Sequence, residues 1–369
     1  MKTEWLEQWA RILVRYSIAV EKGSVIKVRG TTEAAPLIRA VYAELLRAGA
    51  HPRVSVMLPG LLETFYRHGS NDQLSYLSPV DRYEARTIDG IIFIKSQVNT
   101  RELSGIAAAK QVLTAKAAKP LSDLIIKKDN WVLTLFPTAA YAQDADMSLD
   151  DFESFVARSQ FLDRQDPVKA WKTLSRQQAV LVKRLNKVKS VRILAPDTDL
   201  TLSIDGRTAI NSDGRRNMPS GEVFTSPVET SAEGYIRYTF PAVAYGREIS
   251  GIYLEFSRGK VVKCSAEKNE PFLRKMLEID RGARYLGELG IGTNYGITAF
   301  TRNILFDEKI GGTIHLALGN GSPECGGKNK SALHWDMIKD LRTDGELYFD
   351  GTLVQKNGRF LQKSLAGLA

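Results

Sequence analysis

The chain carries four histidines, His51, His68, His315 and His334, and two of them fall in the glycine-rich segment between Glu308 and Asp336. His334 precedes Asp336 by two positions, and in a strand residues i and i+2 share a face. His315 lies in GTIHLALG, an aliphatic run closed by glycine at both ends, which predicts a buried strand ending at a loop. Neutral imidazole and carboxylate are the usual ligands of zinc, cobalt, manganese and iron(II). Two structural histidines in a sheet are the alternative.

Two further acids have unusual surroundings. Glu222 sits in NMPSGEVFTSPVE and Glu288 in LGELGIGTNYG, each between glycine-rich loops and apolar residues. A glutamate taken alone is ordinarily a surface residue. The conjunction of two such acids with the clustered histidines, in one half of the chain, points to a shared site.

The elements that would position these residues come in two kinds. In the N-terminal half, residues 23–30 predict a strand between glycines, 35–50 a helix ended by Gly49, and 51–58 a second strand through Val54, Val56 and Leu58. Strand, helix and strand with short links make a βαβ unit and imply a parallel sheet. Residues 89–97 and 130–138 add two apolar strands. Residues 101–119 add a helix stopped by Pro120. Helices follow over 147–163, capped by Ser148, and from Pro167, capped by Asp166. No GxGxxG follows the first strand, so no dinucleotide site is indicated.

From about Val191 the pattern becomes alternating and turn-rich. Pro196–Asp197, Arg258–Gly259, Asp350–Gly351 and Asn357–Gly358 mark hairpin turns, and residues 271–280 and 281–286 read as helical. The expected fold is therefore a doubly wound, mostly parallel α/β domain over residues 1–190. A mixed α+β, largely antiparallel domain carrying the metal site follows over 191–369.

At 369 residues the chain is long for one core and suits two domains. Its 43% hydrophobic and 25% charged residues are those of a globular protein. The net charge of +9 is dispersed among acids, and its densest run, residues 183–192, reads as a solvated helix face; a nucleic-acid partner is not expected. Only Cys264 and Cys325 occur, too far apart for a disulfide framework, which suits a reducing compartment such as the cytoplasm. No apolar run reaches the ~20 residues of a membrane span. The N-terminal stripe of Trp5, Leu6, Trp9, Ile12, Leu13 and Tyr16 has helical spacing and mixed charges, and reads as core.

The segments NSDGRRNMPSGEVFTSPVE, LGELGIGTNYGIT, NILFDEKIGGTIHLALG and SALHWDMIKDLR, in that order, resemble the thermophilic aminopeptidase T family of metallo-aminopeptidases. The likeness runs from about residue 140 to the end. It implies a pair of divalent ions, usually zinc or cobalt, removal of single residues from peptide N-termini, and a homodimer that encloses the site. By motif position the family's ligands fall on Glu222, Glu288, His315, His334 and Asp336, with a weaker match at Glu308. The chemistry suits these side chains. Two close cations need a bridging carboxylate, for which Glu222 or Glu288 qualifies, and imidazoles and carboxylates as terminal ligands. Such a pair acidifies bridging water, binds the free amine and polarises the scissile carbonyl.

One departure stands out: Ser322 occupies the position of a family tyrosine thought to act in the site. The resemblance thus implies metal binding more firmly than peptidase activity, with Tyr295 or a water held by Ser322 as possible stand-ins. A relative of this fold is a ring-cleaving hydroxypyridine dioxygenase with a single iron, for which His315, His334 and Asp336 would form a facial triad. Glu222 and Glu288 argue for two metals instead. A metal-binding homologue without activity is the non-enzyme reading.

Overall fold

The computed structural model of the chain describes all residues except 245–246, 362–364 and 366–369. Met1–Val168 with Gly214–Pro219 form one compact unit, and Lys169–Asp213 with Ser220–Ala369 form the other.

The first unit is built on a parallel sheet. Its order is His51–Met57, Val25–Thr31, Gly90–Lys95, Trp131–Leu135 and Asn217–Met218. The chain leaves Val25–Thr31 toward one edge and later returns past it toward the other, the reversal that defines a doubly wound sheet. Ile26, Val28, Ile91, Ile92, Ile94 and Val132 are buried, as strands covered on both faces require. Pro52 lies in His51–Met57, an edge strand, where a missing N–H is tolerated. The N-terminal stripe is core: Trp9, Ile12 and Leu13 are fully buried, and the helix Thr3–Arg11 passes into a π-helical stretch at Ile12–Ser17.

Two expectations need correction. Residues 101–106 form turns, and the helix runs Ala108–Lys127 with Pro120 inside it rather than at its end. Leu121, Leu124 and Ile125 beyond the proline are half-buried, and the helix continues past the hydrogen bond that Pro120 cannot donate. Residues 281–284 are turns, not helix, because the Asp280 carboxylate accepts the N–H groups of Gly282 and Ala283. The short strand Asn217–Met218 belongs to the parallel sheet of the first unit, a long-range pairing that no local pattern signals.

The second unit is antiparallel. An eight-stranded sheet is ordered Lys260–Ser265, Tyr253–Ser257, Glu233–Arg237, Thr198–Ser203, Ser190–Ala195, Glu346–Phe349, Thr352–Lys356, Arg359–Phe360. Three of its hairpins turn through paired positive φ values, at Arg258–Gly259, Asp350–Gly351 and Asn357–Gly358. A five-stranded sheet is ordered His334–Asp340, Thr313–Gly319, Leu286–Gly292, Glu222–Thr225, Ile210–Ser212. This second sheet carries every residue singled out for metal chemistry except Glu308. Among the described residues no helix is long and apolar enough to cross a membrane.

Candidate metal centre

Register decides which side chains meet. His315 lies opposite Gly290 on one neighbour and Ile338 on the other, and Ala317 lies between Glu288 and Asp336. Gly319 is opposite His334, and Glu222 is opposite Gly292. With a side-chain period of two, Glu222, Glu288, His315, His334 and Asp336 all project from one face of the sheet. The intervening positions on that face are small, Gly290, Gly292 and Ala317. A methyl group at Gly290 would collide with the His315 imidazole, so this glycine is the space in which the ring lies.

Each ring is oriented by a carbonyl. His315 Nδ1 is 3.0 Å from the Glu308 carbonyl and His334 Nδ1 is 3.0 Å from the Asn320 carbonyl. A carbonyl can only accept, so both Nδ1 atoms carry the proton and both Nε2 atoms face the carboxylates. His315 Nε2 is 3.2 Å from Glu288 Oε1 and 3.4 Å from Glu222 Oε2, and His334 Nε2 is 3.4 Å from Asp336 Oδ2. Gln178 fixes the strand start by donating to the Glu222 carbonyl at 2.7 Å. Glu308, at the C-terminal end of the short helix Ile304–Asp307, completes the group from outside the sheet.

Three overlapping sets of donor atoms arise. Glu222, Glu288 and His315 form one, Glu288, His334 and Asp336 a second, and Glu308, His315 and Asp336 a third, with the atoms of each set within 4.8 Å of one another. Glu288, His315 and Asp336 each belong to two sets. All six residues singled out from the sequence are thus brought together.

The electrostatics explain what this costs without a cation. Burial would push His315 down, but its hydrogen bond to Glu288 and the charges of Glu222 and Asp336 raise it to about 10. His334 is likewise raised to about 10, by Asp336 against burial. Burial raises the Glu308 carboxyl to about 8, with Lys309 opposing. Burial would also raise Asp336, yet the hydrogen bond to His334 and the nearby cations hold it below the usual carboxylate range. Glu222 Oε2 and Asp336 Oδ1 are buried with no hydrogen-bond partner. Buried acceptors are nearly always paired, and two orphan carboxylate oxygens between imidazole nitrogens are the donor set a divalent cation fits.

Sequence reasoning missed Lys309. Its side chain is fully buried, its ammonium contacts Glu308, and it lies 3.6 Å from Glu222. Despite burial, Glu222 and Glu308 keep it cationic. In FDEKIGG the lysine follows two acids and precedes an apolar, glycine-rich strand start, a context that by itself reads as surface charge. Ser322 lies in a loop tied to Ser226 through its N–H at 3.1 Å. The Tyr295 hydroxyl is taken by the carbonyl of Gly358, which removes it as a stand-in.

Comparison with known proteins adds the following. The sequence model for thermophilic metalloproteases (M29) matches residues 2–360. Aminopeptidase 2 of Geobacillus stearothermophilus is 28% identical over 92% of this chain and 93% of its own. The structure of wild-type AmpT from Thermus thermophilus superposes with a TM-score of 0.83 at 23% identity, covering 97% of this chain and 99% of that one. The structure of a 2,5-dihydroxypyridine dioxygenase from Pseudomonas putida gives 0.63 at 16%, covering 99% of both chains. At these identities the two structures speak to the fold alone.

Proposed function

The chain belongs to the thermophilic metalloprotease (M29) family, and from that premise we propose that it is an aminopeptidase that removes single residues from peptide N-termini at a centre of two divalent ions. The observation that carries this reading is the overlap of the three donor sets, in which Glu288, His315 and Asp336 each serve two. A one-ion site has no use for four carboxylates and two imidazoles; two neighbouring ions with a shared carboxylate do. Glu222, Glu288 and His315 would hold one ion. Glu288, His334 and Asp336 would hold the other, with Glu308 as a further ligand. Zinc or cobalt suits this mixture of imidazole and carboxylate.

When bound, the ions supply an acidified water and Lewis acidity at the scissile carbonyl. The protein's own contribution is orientation and charge. The Glu308 and Asn320 carbonyls fix which nitrogen of each imidazole faces inward. Lys309 offsets one of the four carboxylate charges, which leaves room for an anionic oxygen among the donors. The net negative charge that four carboxylates leave beside Lys309 suits the free ammonium of a peptide better than an internal peptide bond.

The dioxygenase reading has one observation in its favour, the likeness of fold to the Pseudomonas putida enzyme. It would use His315, His334 and Asp336 with one iron, and leaves Glu222, Glu288 and Glu308 without a part. Assay on aminoacyl-p-nitroanilides with zinc or cobalt, together with metal analysis, separates the two. Turnover with two ions per chain is expected; one iron per chain and no peptide cleavage would overturn the proposal. The family resemblance also carries a homodimer in the cytoplasm, which sedimentation at micromolar concentration tests: a monomer would count against it.

A further inference from the structure

Tyr238 is 2% exposed, and its hydroxyl has no hydrogen-bond partner. It directly follows the strand Glu233–Arg237 and is stitched beside the metal-site sheet. The Thr239 N–H donates to the Ile338 carbonyl at 3.1 Å, and the Asp340 N–H donates to Thr239 Oγ1 at 3.1 Å. Ile338 and Asp340 lie on His334–Asp340, the edge strand of that sheet and the one that carries His334 and Asp336. Asp336 has a buried oxygen without a partner, and its charge acts on the Tyr238 phenol. An orphan donor beside this strand and an orphan acceptor on it are thus both left unfilled.

The other donors near the site are committed or turned away. Lys309 is held by Glu308 and Glu222, and Tyr295 by Gly358. Trp335 Nε1 is unpartnered, but alternation places Trp335 on the opposite face of its strand from His334 and Asp336. A buried hydroxyl without a partner costs stability unless a ligand supplies one.

We propose that Tyr238 is a further catalytic residue, whose hydroxyl donates a hydrogen bond to the carbonyl oxygen of the scissile peptide bond and stabilises it as an oxyanion. The proposal rests on the aminopeptidase reading above. In the step it serves, the oxygen of water adds to the carbonyl carbon and the π pair moves to the carbonyl oxygen. Collapse then restores the carbonyl, breaks the C–N bond and releases the amine with a proton that came from the water. The phenol keeps its own proton throughout. Burial and the charge of Asp336 push that phenol well above its ordinary range, so it remains a donor at neutral pH.

The test is Tyr238→Phe, which keeps the ring and removes the donor. Loss of one oxyanion donor lowers kcat by ~10²–10³. The expected result is a fall of that size in kcat with KM little changed. The affinity for an aminophosphonate dipeptide analogue should weaken by a similar factor, with bound metal unchanged and Tm equal or higher. A Tyr238→Phe enzyme as fast as wild type overturns the assignment. So does a loss of activity that tracks a loss of metal or of Tm, which would mark a structural residue. If the wild type cleaves no aminoacyl substrate and ignores the phosphonate, the aminopeptidase reading has failed and Tyr238 falls with it. If the wild type cleaves and Tyr238→Phe matches it, only Tyr238 falls.

Discussion

The strand Gly90–Lys95 in the parallel sheet is buried at four of its six positions, and the strand Thr313–Gly319 in the metal-site sheet is buried throughout. The first buries Ile91, Ile92 and Ile94, and its burial is stabilising in itself. The second buries an imidazole at its centre, facing carboxylates across Gly290 and Ala317. Its burial stabilises only if the charges find partners. Burial thus serves two ends. In one sheet it supplies stability; in the other it strips water from groups that a cation then satisfies.

The contrast can be broken most forcefully at His315. His315→Ala should abolish tight metal binding and lower kcat/KM by ~10³ or more, since several kcal/mol of charge stabilisation depends on the bound ions. Gly290→Ala should do nearly the same, because its new methyl group displaces the ring; activity at the wild-type level in that variant would refute the packing argument. Metal analysis and steady-state kinetics on both variants decide.

Chelation comes next. Removing the ions should lower stability by ~4 kcal/mol relative to protein with free metal at a thousand times Kd, read as a fall in Tm that metal restores. An unchanged Tm would show that the buried carboxylates need no cation.

Protons sharpen the same point. In the metal-free protein His315 and His334 hold their protons up to about 10, and Glu308 up to about 8. Ligation needs the deprotonated forms, so uptake at neutral pH must expel protons, and apparent affinity must rise with pH, by about tenfold per unit for each proton displaced. Calorimetry in two buffers of different ionisation enthalpy measures the number. Zero protons released would contradict the account of the site's charge.

The smallest effect belongs to the other sheet. Ile92→Val should cost ~1 kcal/mol of stability and leave metal affinity and kcat unaltered.

Much of this was legible in the sequence, for identifiable reasons. His315, His334 and Asp336 were readable because glycines bound their segment and a period of two places His334 and Asp336 together. Glu222 and Glu288 stood out by conjunction and by the family's motifs. Lys309 was passed over because a lysine next to Glu308 reads as surface charge until its burial is seen. Tyr238 was invisible because about a hundred residues separate it from the strand His334–Asp340 beside which the fold places it. The same holds for Asn217–Met218, whose partner is Trp131–Leu135. The short hairpins were read correctly because Arg-Gly, Asp-Gly and Asn-Gly turns are local, whereas Pro120 misled because one missing hydrogen bond did not end the helix that contains it.

The most direct measurement is anomalous diffraction from crystals of the zinc-loaded protein, recorded on both sides of the zinc edge. The account predicts two peaks, one among Glu222, Glu288 and His315 and one among Glu288, His334 and Asp336, with Glu288 touching both. A single peak held by His315, His334 and Asp336, with Glu222 and Glu288 turned away from it, would contradict it.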